Sequence, residues 1–291
     1  MPKSELDAAV EASSAPVILI GGATTPNGRA LGAFVELAHG REGGRIVALT
    51  SASGNPAASA RAWHRDFLAA GCHNVEIPIV ATRAQARDER VAAALHAADG
   101  IFLGGGDQVK LVSIVGGTLA GDAIRDAHAR GIVVGGSSAG AAALAKTTLA
   151  GNETDEHGQL VEQYIGPGLG LVSHPTIIDT HFSQRRRLYR LFVALAEYPE
   201  LMGLGVDEDT ALVIRGNQGA VCGAGGVTFV DGRDVSYSNA GARRDGTPLT
   251  LSAVRVGIVG AGHAFDLAKR ELITAEGGIG SHASPAVTRR A

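Results

Sequence analysis

Short unbroken apolar runs recur through the first half of the 291-residue chain: VILI at 17, IVAL at 46, IFL at 101 and IVV at 132, each followed by Gly, Ser or Thr. VEIPIV at 75 is a further candidate. A strand that alternates apolar and polar residues buries one face, whereas an unbroken run buries both, as parallel strands inside an α/β sheet do. Between the runs, RALGAFVELAHG, AASARAWHRDFLAAG, QARDERVAAALHAADG and TLAGDAIRDAHARG repeat apolar residues at helical spacing and mostly close on glycine. The alternation predicts a doubly wound, mostly parallel α/β sheet, in which ligands collect beyond the carboxyl ends of the strands. Functional loops are therefore expected after VILI, IVAL, IFL and IVV.

Past residue 203 or so the pattern changes to ALVIR, AVCGAG, GVTFV and LTLSAVRVGIV, separated by turn sequences such as GNQG and DGRD. This predicts a C-terminal antiparallel extension of the sheet. No linker divides the chain, so one α/β domain is expected over residues 15–273, with loose tails at 1–14 and 274–291. GIVGAG at 257–262 has the glycine spacing of a dinucleotide loop, but that fingerprint opens a βαβ unit, and here it falls in the antiparallel region. A turn after a strand is the better reading.

Composition narrows the partners. Hydrophobic residues make up 45% and charged residues 19%, with a formal net charge of -3, which suits a packed core and supplies no basic field to draw in nucleic acid. The two cysteines, Cys72 and Cys222, exclude a disulfide framework and a thiolate-rich metal site, and fit a reducing, cytoplasmic setting. The segment MPKSELDAAVEASSAP lacks the apolar core of a secretory signal, and no stretch reaches the roughly 18 consecutive apolar residues of a membrane span. The expectation is a soluble protein without a membrane partner.

The stretch GGSSAGAAAL at 135–144 follows GIVV directly and fits the G-x-S-x-G elbow, with Ser138 between Gly136 and Gly140. Ser138 is then a nucleophile, or else a helix-capping serine. A nucleophilic serine needs a base, and the base needs a carboxylate to orient it. His64, His96 and His128 sit in helical stretches; His181 in TIIDTHFSQ follows an apolar run, with His174 as its rival. MGLGVDEDTAL offers three carboxylates, of which Glu208 points opposite to Asp207 and Asp209 if the segment is extended. In FLGGGDQVKL, Gly106 is placed to donate its N–H to an oxyanion together with Ala139, or else to form a plain turn. Neither a metal nor a cofactor is required.

SQRRRLYRLFVAL then sets Leu188, Leu191, Phe192 and Leu195 on one helical stripe. On a continuous helix Arg186, Arg187 and Arg190 fall on the opposite side, with Arg185 at the edge, and no acid lies between residues 180 and 196 to pair with them. The row is either a solvated face or a set of guanidinium forks for substrate carboxylates.

GGSSAGAAAL, GGGDQ, DTHFSQRRRLYRL and GLGVDEDTAL, in this order, resemble the cyanophycinase family of serine peptidases, relatives of the aspartyl dipeptidases called peptidase E. The likeness runs from VILIGG to FDLAKREL and includes RDVSYSNA. It implies a sheet like that of class I glutamine amidotransferases, with serine at the elbow in place of cysteine, and a homodimer. The implied substrate is cyanophycin, a poly-aspartate backbone carrying arginine on each side-chain carboxylate, cut to β-aspartyl-arginine. Residue by residue, the resemblance implies Ser138 as nucleophile, His181 as base and Glu208 as acid. It implies Gln108, Asp179, Arg185, Arg187 and Arg190 as substrate-binding residues, with Asp179 or a neighbour for the substrate arginine, and leaves Arg186 outside the pattern. A relative that cleaves aspartyl or isoaspartyl peptides would keep all four motifs, and a binding protein on this fold would have lost Ser138 or His181. Two stretches depart from the family pattern: GGATTPNG, which lacks its charged residues, and AGNETDEHGQLVEQYIG.

Overall fold

The computed structural model describes residues 15–25, 27–154, 160–242 and 247–273, so both expected tails lie outside the described residues. The four apolar runs form β1 (Val17–Ile20), β2 (Ile46–Leu49), β4 (Gly100–Leu103) and β5 (Val133–Ser137), with β3 (Val75–Glu76) at the edge. They pair in parallel in the order β3-β2-β4-β5-β1. The strands are apolar throughout because helices cover both faces: Val17 and Leu19 enter one core, Ile18 and Ile20 the other. Helices α1 (Arg29–Leu37) and α2 (Pro56–Ala69) lie on the Ile18 side, while α3 (Glu89–His96), α4 (Gln108–Val115) and α5 (Leu119–Ala129) lie on the Val17 side. Phe34 of α1 and Phe67 of α2 set their rings 5.0 and 5.3 Å from that of Phe102 on β4. Fully buried, each such ring stabilises the packing by roughly 2–3 kcal/mol.

Two predicted elements are shorter than expected. VEIPIV pairs with β2 only at Val75 and Glu76, because Pro78 has no N–H to continue the ladder. QARDERVAAALHAADG breaks into a 3₁₀ turn at Gln85–Arg87 and α3, with the Asp88 carboxylate accepting the Arg90 N–H at 2.9 Å to cap the new start.

Beyond β1 the same sheet continues antiparallel through β10 (Thr210–Arg215), β11 (Gln218–Gly223), β16 (Ala264–Asp266) and β17 (Glu271–Ile273), nine strands among the described residues. A second sheet, ordered β15-β12-β9-β8, holds β8 (Thr176–Thr180), β9 (Met202–Val206), β12 (Gly226–Asp231) and β15 (Arg255–Gly260). Its β8 and β9 are parallel and joined through α7 (Leu188–Glu197). The short α6 (Ala139–Ala142) follows β5, then come the hairpin of β6 (Thr147–Thr154) and β7 (Leu160–Pro167) and, later, the pair β13 (Tyr237–Ser238) and β14 (Leu251–Ser252). LTLSAVRVGIV is cut between β14 and β15 at Ala253, whose φ is +60°. GIVGAG spans the end of β15 and the turn into β16, with no helix after it among the described residues. Among the described residues no helix is long and apolar enough to cross a membrane.

The two sheets meet at their carboxyl ends. Gly21, just past β1, accepts the His181 N–H at 2.8 Å, and Gly22 accepts the Asp209 N–H at 2.9 Å, so the loops after β8 and β9 hang on the end of β1.

Candidate active site

The turn from β5 to α6 is built around what does not fit in it. A Cβ on Gly136 would stand 2.4 Å from the carbonyl carbon of Gly140, and one on Gly140 would stand 2.0 Å from the Leu103 carbonyl oxygen. The chain can therefore double back against β4 only with glycine at both positions. Ser138 between them has φ +54° and ψ -119°, held by its N–H bond to the Ile20 carbonyl at 2.9 Å. Such backbone strain costs about 1–3 kcal/mol and persists where the surroundings enforce it. Its effect is to lift the hydroxyl off the strand end. Ser138 does not cap α6, whose N-cap side chain makes no bond to the helix.

His181 follows β8, itself at φ +51°. Its Nε2 lies 2.9 Å from Ser138 Oγ and its Nδ1 2.7 Å from Glu208 Oε1. An ionised carboxylate only accepts, so Nδ1 carries the proton and Nε2 is left to accept from the serine hydroxyl. The three acids in the turn after β9 have three different duties. Glu208 reaches His181. Asp207 accepts the N–H groups of Ser183 at 3.0 Å and Gly226 at 3.2 Å, and Asp209 accepts the Thr25 hydroxyl at 2.9 Å. The rival His174 points elsewhere, its Nε2 3.2 Å from the Gly216 carbonyl.

Beside Ser138 opens a cavity of about 170 Å³. Gly106 and Ala139 line it, and neither N–H is given to an acceptor among the described residues. Gly106 has φ +141° and its added Cβ would strike the Ala52 carbonyl at 2.2 Å, so this backbone approach also requires glycine. Asp107 caps α4 by accepting the N–H groups of Val109 and Lys110, which sets Gln108 at the first helical position, on the cavity wall.

The far wall carries Arg185, Arg187 and Arg190 around Asp179. Three guanidiniums against one carboxylate leave the wall with a formal surplus of two positive charges. The helical-wheel expectation for the arginine row fails here. The helix begins at Leu188, so Arg185 to Arg187 lie in the preceding turn, and Arg187 and Arg190 point inward to Asp179 Oδ1, at 3.0 and 3.6 Å. Their acid, Asp179, precedes the arginine row on β8. Leu188, placed on the core stripe, is exposed. Burial pushes the Arg187 guanidinium below its usual range, with Asp179 pulling the other way and Arg190 and Arg185 adding to the fall. Asp179 is 3% exposed, and among the described residues its Oδ2 has no partner. Arg186, at φ +53°, stays exposed and off the cavity wall.

Several site residues carried no signal in the sequence. A Cβ on Gly22 would fall 2.3 Å from His181 Cε1, so the glycine pair in GGATTPNG is the floor under the imidazole. Gln184 accepts the Glu208 N–H at 3.1 Å. Gln163 of β7, fully buried, accepts from Arg190 Nε at 2.9 Å. The doubled glycine was the one local cue to any of these. Among the described residues no three His, Cys, Asp or Glu side chains gather as metal ligands would.

Comparison with known proteins adds to this geometry. The sequence model of Peptidase family S51 matches residues 17–222. The cyanophycinase of Trichormus variabilis is 34% identical over 271 residues, 91% of this chain and 90% of that protein. The cyanophycinase of Synechococcus elongatus is 35% identical over 224 residues, 76% and 69% of the two chains. Among solved structures, a peptidase from an acI-B1 actinobacterium superposes with a TM-score of 0.63 at 18% identity, covering 87% of this chain and 97% of that one. That identity speaks to the fold alone.

Proposed function

The chain belongs to Peptidase family S51 and is a serine-type peptidase; from this we propose that it hydrolyses cyanophycin to β-aspartyl-arginine through an acyl-enzyme on Ser138. The observation that carries the reading is the contact chain Ser138–His181–Glu208 opening onto a cavity whose wall has a surplus of guanidinium charge. Curated relatives that bear the name cyanophycinase, alike over most of their length, point to the same polymer.

In the proposed reaction Ser138 Oγ attacks the scissile carbonyl while His181 Nε2 takes its proton, and Glu208 stabilises the imidazolium that forms. The N–H groups of Gly106 and Ala139 receive the negative charge developing on the carbonyl oxygen; a preorganised donor of this kind is worth about 3 kcal/mol. His181 returns the proton to the leaving amine, and water then attacks the ester with the same histidine as base. Arg185, Arg187 and Arg190 hold substrate carboxylates. Asp179 Oδ2 accepts from a substrate donor, its Oδ1 being taken by the Thr180 N–H and the two arginines.

The test is incubation of the purified protein with cyanophycin and mass spectrometry of the products, with Ser138→Ala alongside. Release of β-aspartyl-arginine by the wild type alone is expected. Inactivity on the polymer together with cleavage of isoaspartyl dipeptides would overturn the substrate, and full activity of Ser138→Ala would overturn the mechanism.

A further inference from the structure

The hairpin of β6 and β7 reaches the cavity at two points. Leu149 of β6 lines the wall, and its carbonyl accepts from Gln108 Nε2 at 2.6 Å. On β7, Gln163 is 1% exposed and spends both ends of its amide: Oε1 accepts from Arg190 Nε, while Nε2 donates to the carbonyls of Gly151 and, at 3.0 Å, Tyr164. Two of the cavity residues, Gln108 and Arg190, are thus tied to this hairpin.

The Gln163 contact has a directional consequence. A guanidinium has five N–H donors in a rigid plane, and fixing Nε fixes the plane. With Nε held by Gln163 and Nη1 3.6 Å from Asp179 Oδ1, Arg190 is oriented rather than free to rotate about its long stem. The amide itself cannot flip without losing its partners, because reversing it would set Oε1 against the carbonyls of Gly151 and Tyr164.

We propose that Gln163 is a positioning residue for substrate binding, through which the β6–β7 hairpin sets the orientation of Arg190 and hence the grip on a substrate carboxylate. The inference rests on the reading of Arg190 as a carboxylate ligand given above. Gln163 does not touch the reacting atoms and lies outside the Ser138–His181–Glu208 chain, so its removal acts on KM and leaves kcat nearly unchanged.

The experiment is a double-mutant cycle with Gln163→Met, which keeps the side-chain length and removes the hydrogen bonds, and Arg190→Met, read as kcat and KM on cyanophycin. Gln163→Met is expected to raise KM about tenfold, the loss of one hydrogen bond to a charged group. In the Arg190→Met background the same change should add less than about twofold, because the residue it orients is gone. Equal effects of Gln163→Met in both backgrounds, or a fall in kcat with KM unchanged, overturn the inference and leave the proposed function standing. A normal KM for Arg190→Met overturns the inference together with the reading of Arg190 as a carboxylate ligand, and leaves hydrolysis at Ser138 standing. Should Gln163→Met fold poorly, Gln163→Asn replaces it: one methylene short of Arg190 but still polar, it is expected to raise KM similarly with a native circular-dichroism spectrum at the assay temperature, and a normal KM would overturn the inference.

Discussion

Asp179 and Asp231 are both buried at strand ends and both face arginines, but their valences are filled differently. Asp231, 1% exposed, receives Arg270 Nη1 at 2.5 Å, Arg233 Nη2 at 2.9 Å and the Arg233 N–H at 3.2 Å, with Arg255 3.8 Å away. Arg270 in turn donates to the carbonyls of Glu200 at 2.6 Å and Leu201 at 3.3 Å, locking β12, the end of α7's connection and the turn before β17 together. Asp179 has Arg187 and the Thr180 N–H on Oδ1, with Arg190 3.6 Å away, and among the described residues nothing on Oδ2. A buried polar group is normally satisfied. The closed cluster is a structural joint, and under the proposed function the open one beside the cavity receives a substrate donor.

Activity should respond on one side of this comparison only. The largest effect is expected for Ser138→Ala, which removes the proposed nucleophile beside the open cluster: kcat/KM on cyanophycin should fall by at least about 10⁴-fold, with an unchanged thermal melt. Glu208→Gln keeps the shape but replaces the carboxylate at His181 Nδ1 and should cost about 10²–10⁴-fold, read in the same assay. A kcat/KM within tenfold of wild type in either variant would break the assignment of this side to chemistry.

The aspartates themselves give the direct contrast. Asp231→Asn leaves Arg270 without its counter-charge where almost no water reaches, and should cost about 3–5 kcal/mol in denaturant unfolding with kcat/KM per folded molecule unchanged. Asp179→Asn, at a half-buried arginine pair beside a cavity, should lower kcat/KM about tenfold and cost less than about 2 kcal/mol. Equal stability losses without any loss of activity would erase the distinction.

The closed cluster also predicts a pH signature. Burial opposes ionisation of Asp231, but the hydrogen bonds from Arg233 and Arg270 outweigh it and hold the carboxyl below the usual aspartate range. The folded state thus favours the charged form more than the unfolded chain does. The stability this adds is present in full above the ordinary aspartate value and is lost as pH falls through the lower, folded value. Unfolding measured from pH 6 downward should show a shallower loss in Asp231→Asn than in the wild type; parallel curves would count against the linkage.

Much of this was written locally and some of it was not. Unbroken apolar runs mark the parallel strands, because burial on both faces selects for them residue by residue. The elbow shows as well, since the glycines at 136 and 140 answer to clashes within a few residues. The arginine row misled for the opposite reason: a helical wheel assumes one helix, and the chain starts its helix only at Leu188 after a turn with Arg186 at positive φ. Gln163 was invisible, because a buried glutamine takes its meaning from Arg190, 27 positions away. Asp207, Glu208 and Asp209 look alike in sequence, and their division of labour depends on which loop each one meets.

Arg186 supplies the smallest and most selective test, because it sits between two cavity arginines and shares their charge. If the row acted as a diffuse basic patch, removing any member would weaken binding in proportion. If orientation around Asp179 is what matters, Arg186 contributes nothing, being exposed and off the cavity wall. Its φ of +53° adds a second expectation. A non-glycine residue there pays about 1–2 kcal/mol, and glycine returns part of that as lost chain entropy, so Arg186→Gly should stabilise the fold by about 0.5 kcal/mol. The variant should keep KM on cyanophycin within about twofold of wild type and melt at the same temperature or slightly higher. Arg185→Ala, one residue away, should raise KM several-fold, and similar KM values for the two variants would favour the diffuse patch over the oriented cluster.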